Sequence, residues 1–298
     1  DMTERHGEGM EQHIATLITG LTQGAVYSVF ALGLALVYST SRVLNFAHGS
    51  MYTAGAYLAW VLSVGYLELS FVPLLIAVSV LMFVFGVGVE RVVVRPLRTR
   101  PNWKIATMIT TLGLALALDN LFLVLFGGTA KSMPPTFEGV FMLDEIRVPL
   151  QSLFVLAVAL VTVIALQVLL SHTRLGRAMR AVSQDATGAA VVGIKANRIF
   201  AVSFGLSAVL AGIAAILLSP IYLVSPLGGW SPFLKAFVIV VFGGLGSIQG
   251  VLYAAFILGV IESFVISELG ATWTMPIWFV VLLLSLMIRP HGLMGKWS

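Results

Sequence analysis

The stretch "VFGGLGSIQG", Val241 to Gly250, places four glycines in ten residues inside the apolar segment 234–268. Whether the chain crosses a membrane once here, or enters and turns back, decides the fold. A glycine costs about 1 kcal/mol relative to alanine in a helix interior, so a cluster of them interrupts one. At about 1.5 Å per residue, the segment is too short for two full spans and a turn. It is therefore read as a broken or re-entrant helix pair. Backbone of that kind persists at membrane depth only where it is buried in protein or lines a wet cavity.

The surrounding composition supplies the membrane. Of 298 residues, 59% are hydrophobic and 10% are charged, against about 25% charged in soluble domains. Apolar runs predict spans near 14–40, 46–66, 71–90, 105–127, 150–170 and 198–223, and two more within 234–268 and near 273–289. Arg91, Arg95, Arg98, Arg100 and Lys104 share one connection, and Arg174, Arg177, Arg180, Lys195 and Arg198 another. With Arg42, Arg289 and Lys296 these make thirteen basic residues, which the positive-inside rule places in the cytoplasm. Arg5, Lys131, Arg147 and Lys235 remain for the outside, with the acidic, proline-containing segment 128–149. The N-terminus is then outside and the C-terminus inside. Since 224–233 and the entry to the last span are both external, 234–268 must go in and return.

The expected fold is an all-α polytopic membrane protein of about eight transmembrane helices, broken or re-entrant near 234–268. Residues 1–13 form an external tail and 14–298 one transmembrane domain, with 171–198 as a cytoplasmic loop. The opening "DMTERHGEGMEQH" is acidic and lacks the basic region of a cleavable signal peptide, and Met10 is a candidate native start. With no cysteine, disulfides and thiolate metal sites are excluded. The other histidines, at 6, 13, 172 and 291, give His48 no ligand spacing, so neither metal nor cofactor is expected. A net charge of +4, dispersed at helix ends, gives no nucleic-acid footprint.

An earlier stretch, "NFAHGSMYTAGA" from Asn45, is a faint counterpart of the opening one. Gly49-Ser50-Met51 parallels Gly246-Ser247-Ile248, and paired interruptions point to a transport pathway. Candidate pathway residues are Asn45, His48, Thr111, Asp119, Asn120, Gly244, Gly246 and Ser247. Asn45 and His48 are expected near the cytoplasmic end of the second span, with His48 as a structural hydrogen-bonding group or a pathway group. Asp119 is an intramembrane carboxylate, a functional candidate by default. It meets a substrate ammonium or holds a neighbouring helix. Glu262 suits a structural partner better than a substrate selector. Thr107, Thr110 and Thr111 either line a path or bond back to their own helix.

The longest polar interruption is "RLGRAMRAVSQDATGAAVVGIK", Arg174 to Lys195. Helical spacing puts Leu175, Met179 and Val182 on one face and Arg174, Arg177, Arg180 and Gln184 on the other. Asp185 caps a second short helix of small residues, which Gly193 ends. The pair is either a docking element or an interfacial helix whose arginines reach anionic lipid. No G-x-x-x-x-G-K-[S/T] loop occurs, so the chain does not itself hydrolyse ATP.

"LNFAHGSMYTAGAYLA", "LGRAMRAVSQDATGAAVVGI", "KAFVIVVFGGLGSIQGVLYAAFILGVIES" and the terminal "RPHGLMG" together resemble the LivH-like permease subunits of branched-chain amino acid ABC importers. The resemblance runs from about Leu17 to Gly295. It implies a non-enzymatic bacterial inner-membrane subunit that passes a small polar solute, an amino acid of the branched-chain type or a related compound, by ATP-driven alternating access. It also implies three kinds of partner: a second, LivM-like permease, two cytoplasmic ATPases and an external solute-binding protein, with membrane lipid around them. Residues 171–198 become the coupling loop, with Arg174, Arg177, Arg180, Asp185, Ala189, Ala190 and Gly193 as its candidate contacts. The other reading is an ion-coupled secondary transporter or channel, supported by Asp119 as an ion-coupling group and by the broken helix at 241–250. An intramembrane enzyme has no paired carboxylate, Ser/Lys or metal motif to support it.

Overall fold

The computed structural model describes residues 2–65, 67–143, 146–289 and 291–295, the first ten of them as backbone only. Lys296 and the side chain of Arg5 lie outside the described set. The helices are α1 (Met2–Ser41), α2 (His48–Trp60), α3 (Phe71–Val89), α4 (Trp103–Phe126) and α5 (Leu150–His172). After them come α6 (Arg174–Gln184), α7 (Ala186–Val191), α8 (Ala196–Leu218), α9 (Trp230–Gly243), α10 (Ile248–Leu269) and α11 (Thr274–Ile288). Among the described residues, seven helices are long and apolar enough to cross a membrane, and α9 is a shorter apolar one. A two-stranded antiparallel hairpin, β1 (Val140–Leu143) with β2 (Ile146–Pro149), is the element that the apolar pattern did not foretell.

Burial sorts the helices into a centre and a rim. The most apolar stretch of α1 is 89% buried and that of α8 83%, against 11–28% for those of α3, α4, α5 and α11. α1 lies against α10, α8, α5 and α9, while α3 and α2 pack on α8. The α1–α10 crossing uses a small-residue motif, Gly20-x-x-x-Gly24, facing Gly259. A Cβ on Gly24 would stand 2.9 Å from the Phe256 Cα, so only glycine admits this approach. With lipid as apolar as leucine, such close packing replaces the hydrophobic drive that water would supply.

The glycine cluster breaks the helix as its composition requires. α9 ends at Gly243 after 14 residues, about 21 Å of helix against a hydrocarbon layer of about 30 Å. Gly244 and Gly246 turn the chain at φ +108° and +90°, and the Ser247 Oγ caps α10 by accepting from the Gly250 N–H at 3.1 Å. The freed carbonyls of the α9 end are taken by the terminal motif. Leu293 N donates to Phe242 O at 2.8 Å and Met294 N to Gly243 O at 3.1 Å. Thus Leu293 and Met294 of the terminal motif seal the break. Gly244→Ala places a side chain in a left-handed conformation and 3.0 Å from the Gly295 Cα. It is expected to cost about 1–3 kcal/mol, and an unchanged denaturation midpoint of the purified protein would contradict this seal.

α2 differs from a simple second span. It is a 13-residue α-helix, extended by a π-helical turn (Val61–Gly65), and nearly all of it is buried. Its first residue, His48, contacts Phe30 and Ser207, the latter midway along the 23-residue α8. His48 therefore sits at the middle of the helical layer and not near the end of a span. Residues 42–47 climb to that depth before the helix begins.

Candidate functional site

Two buried polar clusters and one polar loop carry the side chains of interest. The first cluster gathers where α2 and α9 begin. Asn45 Oδ1 accepts from the Ala47 N–H at 3.1 Å, an Asx turn that launches α2. The Phe46 N–H donates to Thr111 Oγ1 at 3.2 Å, and Thr111 itself donates to Met108 O. His48 is fully buried and stacked on Phe30, with ring centroids 4.4 Å apart. Its Nε2 donates to Phe30 O at 3.0 Å. A carbonyl only accepts, so Nδ1 is the acceptor for Ser207 Oγ at 3.2 Å. Both nitrogens are thereby occupied by the fold.

Asp119 stands in the same layer, 3% exposed. Its Oδ1 accepts from Ser50 Oγ and its Oδ2 from Trp230 Nε1, each at 2.7 Å. One carboxylate thus ties α4 to the first turns of α2 and α9. Those two helix starts also touch directly, since a Cβ on Gly49 would stand 2.9 Å from the Gly229 carbonyl oxygen. The spatial partner of the Gly49-Ser50 break is therefore the start of α9, while Gly246 and Ser247 serve the α10 start. Asn120 turns to the exposed side of α4 and bonds Leu116 O at 2.7 Å. Thr107 likewise donates to its own helix, at Trp103 O.

The geometry distinguishes two Asp119 variants. In Asp119→Asn the amide oxygen accepts from Trp230, while the NH2 donates to Ser50, whose hydroxyl turns to Ala115 O, already 3.2 Å away. Asn is therefore expected to cost less than about 1 kcal/mol. Asp119→Leu strands the indole N–H and is expected to cost about 2–4 kcal/mol. Denaturation midpoints of the two purified variants check this, and equal losses would refute the hydrogen-bond account.

The second cluster was not legible as a pair. Lys235, which charge counting left for the external side, is buried in α9. Its Nζ donates to Glu262 Oε1 of α10 at 2.5 Å and to the Tyr27 hydroxyl of α1 at 2.8 Å. Glu262 is indeed a structural partner, and its second oxygen has no hydrogen-bond partner. Lys235 also lines a cavity of about 210 Å³ between α1, α2, the end of α8 and the start of α9. Asn45, His48 and Asp119 are not among the residues that line it. The connector over this cavity is fixed by a two-way backbone bridge between Val224 and Lys131, at 2.8 Å in each direction.

The basic loop folds as its spacing requires. Thr173 Oγ1 caps α6 by accepting from the Gly176 N–H at 3.1 Å, and Asp185 Oδ1 caps α7 by accepting from the Thr187 N–H at 2.8 Å. Met179 and Val182 face inward, whereas Arg174, Arg177 and Gln184 are exposed. Arg180 bends back to donate to Leu170 O. Gly193, at φ +84°, closes α7. Ala189 packs into the protein's own core, so the outward face of α7 belongs to Ala190, Val191 and Val192. Val191 is 85% exposed and Val192 74%, two aliphatic side chains projecting from a polar loop. A clamp holds the loop's far end. Arg98 pairs with Glu90 at 2.5 Å, donates to Asn197 Oδ1 at 3.1 Å, and lies 3.9 Å over the Phe200 ring.

Comparison with known proteins places this architecture. Residues 16–289 match the model of the family described as the branched-chain amino acid transport system / permease component. The permease protein BraD of a high-affinity branched-chain amino acid transport system in Pseudomonas aeruginosa is 32% identical, with 95% of this chain and 96% of that protein covered. LivH of Salmonella typhimurium is 28% identical over 94% of both. The probable LivH of Methanocaldococcus jannaschii is 30% identical over 90% of this chain and 88% of its own. PsaBC from Streptococcus pneumoniae, solved in complex with Fab, aligns over 95% of this chain and 92% of its own at a TM-score of 0.43 and 14% identity, too distant to bear on the fold. The resemblance first seen in four motifs thus extends over nearly the whole length, and this multi-pass membrane chain belongs to the branched-chain amino acid transport system permease components.

Proposed function

We propose that this chain is one of two permease subunits of an inner-membrane importer, the other LivM-like, and that it passes a branched aliphatic amino acid released by an external binding protein. Two cytoplasmic ATPases drive it, and α6 and α7 transmit their movement. Family membership carries the need for ATPases and a binding protein. What supports the placing of the drive is the loop itself: two capped helices end in the exposed pair Val191 and Val192, on the same loop as the exposed Arg174 and Arg177. Aliphatic side chains this exposed on a polar loop fit a protein groove better than water. The clamp from Arg98 to Asn197 and Phe200 would pass loop displacement into α8, the buried centre of the bundle, as rigid-body switching requires.

The proposed orientation has the basic loop inside, the N-terminus outside and the C-terminus inside. The ion-coupled reading rests on Asp119 and the broken helix at 241–250; both Asp119 oxygens are engaged by Ser50 and Trp230, which weighs against the first of these supports. The sparse rims of α3, α4, α5 and α11 leave apolar surface for lipid and for a second permease.

The chain has no cysteine, which makes single thiols clean reporters. A Val192→Cys variant in intact cells is expected to resist a membrane-impermeant maleimide and to react with it in inside-out vesicles. In the assembled importer it is expected to cross-link to the ATPase subunit. Labelling from the outside, or no cross-link in an actively transporting complex, would overturn the docking assignment.

A further inference from the structure

We propose that the cavity beside Lys235 is a solute station within this chain that grips the carboxylate of a branched aliphatic amino acid. The inference rests on reading the chain as an amino acid permease and names a site for that solute. Three features of the cavity converge. The first is charge. Among the described residues, Lys235 is the cation of the lining, and no Asp or Glu lines the cavity. Its ammonium has three N–H donors, of which Tyr27 and Glu262 take two. The third donor has no hydrogen bond to the described residues, and the side chain that carries it lines this cavity. Glu262, paired with the ammonium, balances the resident charge and is not among the residues that line the cavity. A visiting carboxylate thus meets a held cation and no fixed anion in the described lining.

The second feature is the start of α9. Gly228, Ser231 and Pro232 line the cavity, so the positive end of a 14-residue helix faces it. The Trp230 N–H is taken by Leu227 O and Pro232 has none, which leaves the Ser231 N–H and the helix dipole to favour an anionic group there, an arrangement that discontinuous membrane helices use for carboxylates. The third feature is the division of the walls. Hydroxyls of Tyr52, Thr53, Ser219 and Ser225 offer acceptors for an ammonium group. Ala56, Leu218, Leu223 and Val224 form an aliphatic side. At about 210 Å³ the space is below the roughly 300–1,000 Å³ of sites for drug-sized ligands, and suits one small solute. Cation, hydroxyls and aliphatic wall match the three parts of a branched aliphatic amino acid.

The test uses the complete importer with one thiol, Ser231→Cys, placed in the lining. Modification by a small charged methanethiosulfonate is timed in detergent, with leucine, 4-methylpentanoate or leucinamide as the competing probe. Leucine and 4-methylpentanoate are expected to slow modification about tenfold at ten times the half-protecting concentration, by simple occupancy. Leucinamide, lacking the carboxylate, is expected to leave the rate unchanged. In the Lys235→Met/Glu262→Met background the protection by leucine is expected to vanish. Equal protection by leucinamide would overturn the carboxylate assignment, and no protection by any probe would overturn the site. ATP-driven leucine uptake by the unsubstituted importer in vesicles is scored in parallel. Uptake without protection counts against the station alone, whereas absence of uptake counts against the permease reading.

Discussion

Lys235→Met alone is expected to cost the protein about 3–5 kcal/mol of stability, and the double variant Lys235→Met/Glu262→Met to recover most of that loss. The reason is an asymmetry of buried charge. Removing the ammonium leaves Glu262 inside the bundle, 3% exposed, with its remaining oxygen already lacking a hydrogen-bond partner. A stranded buried carboxylate costs several kcal/mol, whereas replacing both charges with apolar groups of similar volume is often neutral or better. The Tyr27 hydroxyl loses its ammonium partner in both variants, so that loss cancels in the comparison. SDS-titration midpoints of the purified proteins read the difference directly. Equal losses in the single and double variants would show that the pair is not what couples α9 to α10.

The second large effect is expected at the loop. Val191→Asp/Val192→Asp should leave the denaturation midpoint of the isolated chain within about 0.5 kcal/mol, because substitutions at exposed positions rarely matter to the fold. Both side chains are exposed, at 85% and 74%. In the assembled importer, two carboxylates would enter an apolar contact without partners, at a penalty of several kcal/mol. Uptake is expected to fall at least about tenfold, which is about 1.4 kcal/mol. Ala189→Leu should behave in the opposite way. Ala189 is buried against the chain's own core, so a larger side chain there unseats α7 and lowers the stability of the chain itself. A double Asp variant that transports normally would refute the loop as the entry point of the drive.

Local chemistry was readable in the sequence, and long-range pairing was not. The break at Gly243–Ser247 is legible because glycine states its backbone requirement in its identity, and positive φ at 244 and 246 is what the cluster supplies. The caps at Asp185 and Gly193 and the inward face of Met179 and Val182 follow from helical spacing over a few residues. The burial of Lys235 was not legible because counting charges assigns only a side, and cannot see a lysine whose partners are Tyr27, 208 residues away, and Glu262, 27 away. The mid-depth start of α2 was hidden for a related reason. Hydropathy gives length and says nothing of depth, and only the contacts of His48 with Phe30 and Ser207 fix it. Asp119 was flagged correctly as an anomaly, with its helix-holding role identified only once Ser50 and Trp230 were in place. Val191 and Val192 looked like part of a small-residue run, and their exposure emerged when Ala189 turned inward.

The most direct test of the account is uptake of radiolabelled leucine into proteoliposomes supplied with the binding protein. The comparison is between this chain alone and the chain assembled with its second permease and ATPases. ATP-dependent uptake by the complete assembly, with none by the chain alone at any ion gradient, is the predicted result. Leucine accumulation by the isolated chain, driven by an ion gradient and indifferent to ATP, would contradict it.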